Sequence, residues 1–217
     1  MLNLPTPITI GLCGRAGSGK DTVRSILEMH HDFAGLAFAE PIRAMLRELL
    51  TSNGCSDDYI TRRELKETAI PGLGISYRQM AQTLGTEWGR QQLGGNFWLN
   101  VANTYLADLR TQGYRRFVVS DVRFANEAEW VRQQGGLVWL IDRPGIDDVR
   151  PHVSEAMPTS AGFEADRIIH NHSTVHDLQR LVFDALVLAE ADLAAQRATA
   201  HAEAFTAAVA RSHGNTP

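Results

Sequence analysis

Three observations predict an α/β fold, a doubly wound parallel sheet of about five strands with a helical insertion and a lid loop. Short apolar runs alternate with helical patterns in the order β-α-β-α, a helical block, then β-α-β-loop-β-α. The first run leads through a glycine-rich turn directly into a helix. A later run ends in an aspartate, which right-handed crossovers would bring to the same sheet edge as that turn.

Ile8-Thr9-Ile10-Gly11-Leu12-Cys13 is the first strand. The turn is Gly14-Arg15-Ala16-Gly17-Ser18-Gly19-Lys20-Asp21-Thr22, and Val23 onward reads as helix. Strand, glycine turn and helix form the setting of a phosphate-binding loop, whose inward amides carry partial positive charge at a helix N-terminus. Lys20 would add a full charge near the β- and γ-phosphates of ATP. The chain has two lysines, Lys20 and Lys66, and arginine supplies every other side-chain cation. One of the two stands where a point charge on a flexible stem is wanted. The residue after the lysine, commonly Ser or Thr to meet magnesium, is Asp21, with Thr22 next. Asp21 through water is a second candidate for Mg2+.

Residues 35–39 read as a short buried strand. Pro41 then opens a helix reaching residue 50. Residues 62–67, Arg-Arg-Glu-Leu-Lys-Glu, form a charged turn read as a solvated face. Ser76 and Gln79 suggest a capping box for a helix over 76–93. At 100° per residue Met80, Ala81, Leu84 and Trp88 share its core side, and Arg78, Gln82, Gly85 and Gly89 the opposite side. Two helical glycines cost about 1 kcal/mol each relative to alanine. That stripe suits a ligand or a close backbone, with an exposed face as the alternative. Asn96 is expected to cap a helix over 97–109.

Residues 116–120 form the next strand, ending at Asp121, a position suited to magnesium. Arg123 could take a phosphoryl oxygen. A helix over 126–134, a strand over 137–141, and a Pro/Gly-punctuated stretch with Arg143 and Arg150 follow. That stretch reads either as a loop closing over phosphates or as plain surface. A last strand over 167–170 precedes a helix capped by Thr174. The alanine-rich stretch from 188 to 217 reads as a terminal helix and frayed tail, pairing with the body or with a second subunit. A phosphate-loop domain would span 1–187, with a helical acceptor-site insertion over 57–112 and a lid loop over 143–158.

The 217 residues carry a formal charge of −4 and no Lys/Arg run, which argues against nucleic acid as a partner. No apolar stretch approaches the roughly 20 residues that span a bilayer, and no signal peptide is recognisable at the start. Cys13 and Cys55 are too few for a disulfide framework. A reducing cytoplasm is the expected setting.

The phosphate loop, Arg78-Gln79-Met80-Ala81-Gln82-Thr83-Leu84-Gly85-Thr86-Glu87, Phe97-Trp98, and Ser120-Asp121-Val122-Arg123-Phe124-Ala125-Asn126-Glu127-Ala128 occur in that order. With His152-Val153-Ser154-Glu155 and Asp166-Arg167-Ile168-Ile169-His170-Asn171, they resemble the phage-type deoxynucleoside monophosphate kinases over about residues 8–187. The resemblance implies a phosphate-loop kinase fold and transfer of the ATP γ-phosphate to a deoxynucleoside 5′-monophosphate with Mg2+. For a phage-encoded protein this would occur in the host cytoplasm. It also implies roles. Lys20, Arg123 and Asp121 are expected in catalysis, with Asp121 on the metal. The loop from Gly14 to Thr22 and Asn171 are expected at ATP. Phe38, Arg43, Arg78, Gln82, Trp98 and Arg123 would meet the acceptor, and Arg143, Arg150, Ser154 and Glu155 the lid. A dephospho-coenzyme A kinase shares the loop and the Asp-x-Ile-Ile-x-Asn ending. A kinase acting on a modified base in DNA and a nucleotide-binding regulator without an acceptor are further readings.

Overall fold

The computed structural model describes residues 6–145 and 162–213. Five strands form one parallel sheet: β1 (Ile8–Cys13), β2 (Ala34–Leu36), β3 (Arg116–Val119), β4 (Leu137–Asp142) and β5 (Arg167–His170), in spatial order β2-β3-β1-β4-β5. β1 and β3 are buried at every residue, the near-continuous apolar pattern of strands covered on both faces. The expected fold class is the one found.

Helices cover the two faces. α1 (Lys20–His31) and α7 (Val175–His213) pack on one, where Val23, Leu27, Leu178, Val182 and Leu186 meet Ile8, Ile10, Leu12 and Trp139. On the other, α5 (Phe97–Thr111) and α6 (Ala125–Gln133) set Leu99, Leu106, Trp130 and Val131 against Phe117, Val119 and Val138. Cys13 lies buried in this second cluster, and burial pushes its thiol up to about 12, so it behaves as a small core residue. α7 runs on without a break across residue 187, and Ala189 and Leu193 are buried in the first core. Arg197 there donates to the Pro7 carbonyl at 2.6 Å.

The helical block stands between α2 (Glu40–Ser52) and β3. It holds α3 (Asp58–Thr61), a 3₁₀ turn at Arg63–Leu65, α4 (Tyr77–Gln82) and α5. Its Ile60, Ile70, Tyr77, Met80 and Trp98 form a third core with Ile42, Leu46 and Leu50 of α2.

Three local expectations are corrected. β2 stops at Leu36 rather than residue 39, because the amides of Phe38 and Ala39 turn away to the Asp121 side chain. The helix from Ser76, whose hydroxyl accepts the Gln79 N–H at 3.2 Å, changes pitch. α4 continues as a wider π-type helix over Thr83–Gln92, closed by Leu93 N–H to Trp88 O at 3.2 Å. The two glycines admit this. Trp98 lies so close to Gly89 that a Cβ there would sit 2.4 Å from its indole nitrogen. The same indole N–H donates to Gly85 O at 2.8 Å. Met80, Ala81, Leu84 and Trp88 do pack on the third core, as the periodicity predicts. Finally, the Asn96 side chain makes no capping bond to α5; it accepts from Asn126 Nδ2 at 3.0 Å.

Candidate active site

All five strands point their carboxyl ends to one edge, and a residue named from the sequence follows each. The phosphate loop follows β1, Phe38 follows β2, Asp121 follows β3, Arg143 follows β4 and Asn171 follows β5. Ligands in open α/β sheets bind along this edge.

The loop is shaped by backbone. Gly17 and Gly19 have φ of 84° and 105°, conformations that cost a glycine little, and the second forms the N-cap of α1. Asn171 fixes it from the far side of the sheet. Its side-chain N–H₂ donates to Ser18 O at 2.8 Å, and a Cβ on Gly19 would come within 2.5 Å of that nitrogen. Asn171, expected at ATP, thus holds the loop itself. Lys20 Nζ donates to Gly14 O and Arg15 O at 2.7 and 2.8 Å, which coils the side chain back over the loop. Burial, reinforced by Arg123, lowers its pKa to about 8. Asp21 is exposed and Thr22 half-buried on the first turn of α1.

Beside the loop a cleft of about 220 Å³ opens between the sheet edge and the helical block. All six residues expected at the acceptor, Phe38, Arg43, Arg78, Gln82, Trp98 and Arg123, line it, as do Gly85 and Asp121. Trp98 is buried in its wall. Gly89 is not in the cleft but buried beneath Trp98, so the predicted stripe divides: its first three members face the cleft and the fourth faces an indole. Arg43 pairs with Glu40, and Arg78 with Glu67.

Asp121 has a defined local task. Its Oδ1 accepts Phe38 N–H at 2.8 Å and its Oδ2 accepts Ala39 N–H at 2.9 Å, so the end of β3 clamps the β2–α2 turn. Arg123 follows on the turn into α6, where Glu127 accepts its N–H at 2.7 Å and that of Phe124 at 3.1 Å. Glu127 is the N-terminal capping carboxylate of α6 and also takes an ion pair from Arg90. Burial pushes it up to about 7, against the opposing pull of Arg90. The Arg90 guanidinium lies 3.8 Å over the Phe124 ring.

Of the expected lid residues Arg143 is exposed just after β4. Arg150, Ser154 and Glu155 lie outside the described residues.

The family profile described as deoxynucleotide monophosphate kinase matches residues 73–182. A protein of Acanthamoeba polyphaga mimivirus carrying a deoxynucleotide monophosphate kinase name is 33% identical over 180 residues, 78% of this chain and 91% of its own. The chain belongs to the deoxynucleotide monophosphate kinase family. The deoxynucleoside-5′-monophosphate kinase of Escherichia phage T5 is 38% identical over 34% of this chain and 28% of that one. The deoxynucleotide monophosphate kinase of Enterobacteria phage T4 is 28% identical over 48% and 42%. The family expected from the motifs is the family found.

The cleft of this kinase chain is also lined by residues given no site role from the sequence: Lys66, Tyr77, Thr86, Arg90, Phe124 and Glu127. Lys66 was assigned to a solvated face, yet it lines the cleft, and its pKa is lowered by burial and by Arg43 and Arg78. The rarity that marks Lys20 applied equally to Lys66. Glu127 was visible as an acid at the third position of α6. Arg90 was hidden by the change of helical pitch.

Proposed function

We propose that this protein transfers the γ-phosphoryl group of ATP to a deoxynucleoside 5′-monophosphate, with the phosphate loop holding ATP and the cationic cleft holding the acceptor. The observation that carries it is the junction between the two. Arg123 and Asp121 line the cleft, and both are close enough to Lys20 to shift its pKa. Two polyanions bound on either side of that junction would meet phosphate to phosphate.

The residues present fit the groups this needs. The loop amides and Lys20 suit the donor phosphates. Magnesium favours one or two carboxylates with substrate phosphates completing its shell. Asp21 on the exposed first turn, Thr22, and Asp121 through water fit that pattern. Bound there, the ion would neutralise charge on the transferring group.

An acceptor phosphate oxygen attacks the γ-phosphorus, and the bond to the β–γ bridging oxygen breaks with its electron pair leaving on ADP. The monophosphate is already largely dianionic at pH 7, so no base need remove a proton. The protein's work is then alignment and charge neutralisation. Arg43, Arg78 and Arg123 present planar forks that match phosphate oxygens. Gln82, Thr86 and Trp98 are left to meet sugar or base. ATP and free deoxynucleotides place this reaction in the cytoplasm.

A coupled ADP assay across dTMP, dGMP, dCMP, dAMP and dephospho-coenzyme A tests the reading. Turnover is expected with one or more deoxynucleotides. Turnover with dephospho-coenzyme A alone would overturn it.

A further inference from the structure

The charged turn after α3 lies between the two sites. Arg63 projects from it over the crown of the phosphate loop. A Cβ on Gly17 would lie 3.1 and 3.3 Å from its two terminal nitrogens. Three residues on, Lys66 lines the cleft. The backbone between them is fixed at both ends. Ile60 is buried in the third core, Leu65 N–H bonds to Arg62 O at 3.1 Å, and Arg78 N–H bonds to Lys66 O at 2.9 Å.

The cleft arginines Arg43, Arg78 and Arg90 each have a carboxylate partner, and so does neighbouring Arg62, with Glu64. Among the described residues no carboxylate pairs with Arg63. Its guanidinium is instead set against a loop whose amide N–H groups are themselves positively polarised. Such an arrangement is unfavourable in the free protein and becomes favourable when an anion lies between the two.

We propose that Arg63 is a donor-phosphate residue supplied by the helical insertion, touching the β- and γ-phosphates of ATP from the side opposite the loop. This rests on the function proposed above. As the β–γ bond breaks, negative charge grows on the bridging oxygen that leaves with ADP. A guanidinium engaged there would stabilise that charge more than it stabilises ground-state ATP. Because Arg63 and Lys66 share one rigid turn, the same segment would bear on both substrates and set the distance between their phosphates.

The test uses full-length Arg63→Ala and Arg63→Lys. The readouts are calorimetric affinity for Mg2+ and the non-hydrolysable analogue AMP-PNP, steady-state kinetics, and melting temperature. For Arg63→Ala, AMP-PNP affinity is expected to fall about tenfold and kcat about 100-fold, with acceptor KM within about twofold and melting unchanged. Arg63→Lys should recover part of the loss, since it restores the charge without the fork. AMP-PNP affinity and kcat both within about twofold of the parent would overturn the assignment. If the parent phosphorylates no deoxynucleotide, the proposed function fails, while AMP-PNP binding still decides whether Arg63 touches the donor.

Discussion

The phosphate loop is built from one unbroken stretch, residues 14–22, and presents mainly backbone amides with a single lysine. The cleft beside it collects Arg43, Lys66, Arg78, Arg90 and Arg123 from five separate places in the chain. The loop is selected by its conformation, which glycine makes accessible. The cleft is selected by side chains, and its arginines Arg43, Arg78 and Arg90 are each kept in place by a carboxylate. A site made of backbone tolerates changes in its surroundings and fails when its lysine is lost. A site made of paired side chains spreads its function, so single losses should be graded.

That contrast can be broken most directly at Lys20. Lys20→Ala should lower kcat by about 100-fold or more with the fold intact, as checked by kinetics and a melting curve. A loss of a few-fold would mean that the loop amides suffice alone. In the cleft, Arg78→Ala should reduce acceptor kcat/KM by about 10- to 100-fold while ATP KM changes little. An equal effect on ATP would merge the two sites into one.

The paired glycines sharpen the comparison within a single helix. Gly85→Leu fills the cleft, and its Cβ has only Ile42 Cδ1 near, at 3.1 Å. The variant should melt at or near the parent temperature and lose acceptor use. Gly89→Leu would drive a side chain into the Trp98 ring and should destabilise by about 1–3 kcal/mol on overpacking alone. If the two variants melt alike, the change of pitch after Gln82 is wrong.

The smallest effect expected is with pH. With Lys20 at about 8, its protonated fraction falls about threefold between pH 7.5 and 8.5, and ATP affinity should weaken by that factor. Stability should move the other way. The unfolded lysine keeps its proton to about 10.5, so the unfolded state binds more protons between pH 8 and 10.5. The ligand-free protein therefore gains stability from pH 8 to about 9, above which Cys13, at 9.0 unfolded and about 12 folded, opposes the gain, and Lys20→Met should abolish both trends.

The same difference in construction decided what could be read from the sequence. The loop, the succession of strands and helices along the chain and the bounds of β5 were legible because each is local: a glycine spacing, an apolar run, a strand ended by a turn. That Arg43, Arg78 and Arg123 would share a site followed only from the family resemblance, since nothing in their spacing brings them together in the one cleft they line. Gly89 was misplaced because a uniform 100° step cannot register a helix that widens after Gln82. Asp121 was read as a metal position, and no local pattern announced that its two oxygens would be engaged by the amides of Phe38 and Ala39. Lys66 lines the cleft although its turn reads as mostly solvated, because a charged turn carries no signal of what folds opposite it.

The bond from Asn171 to Ser18 has a consequence for synthesis. Residues 14–22 leave the ribosome early, yet the loop they encode is fixed by a side chain near the end of the sheet. At about 5–20 residues per second the intervening 148 residues take some seconds to emerge. A nascent or truncated chain ending before Asn171 would contain every residue of the phosphate motif and lack the support that sets its shape. The first-made part of the nucleotide site is therefore completed by one of the last-made strands, and ATP can serve as a check that the whole sheet has assembled.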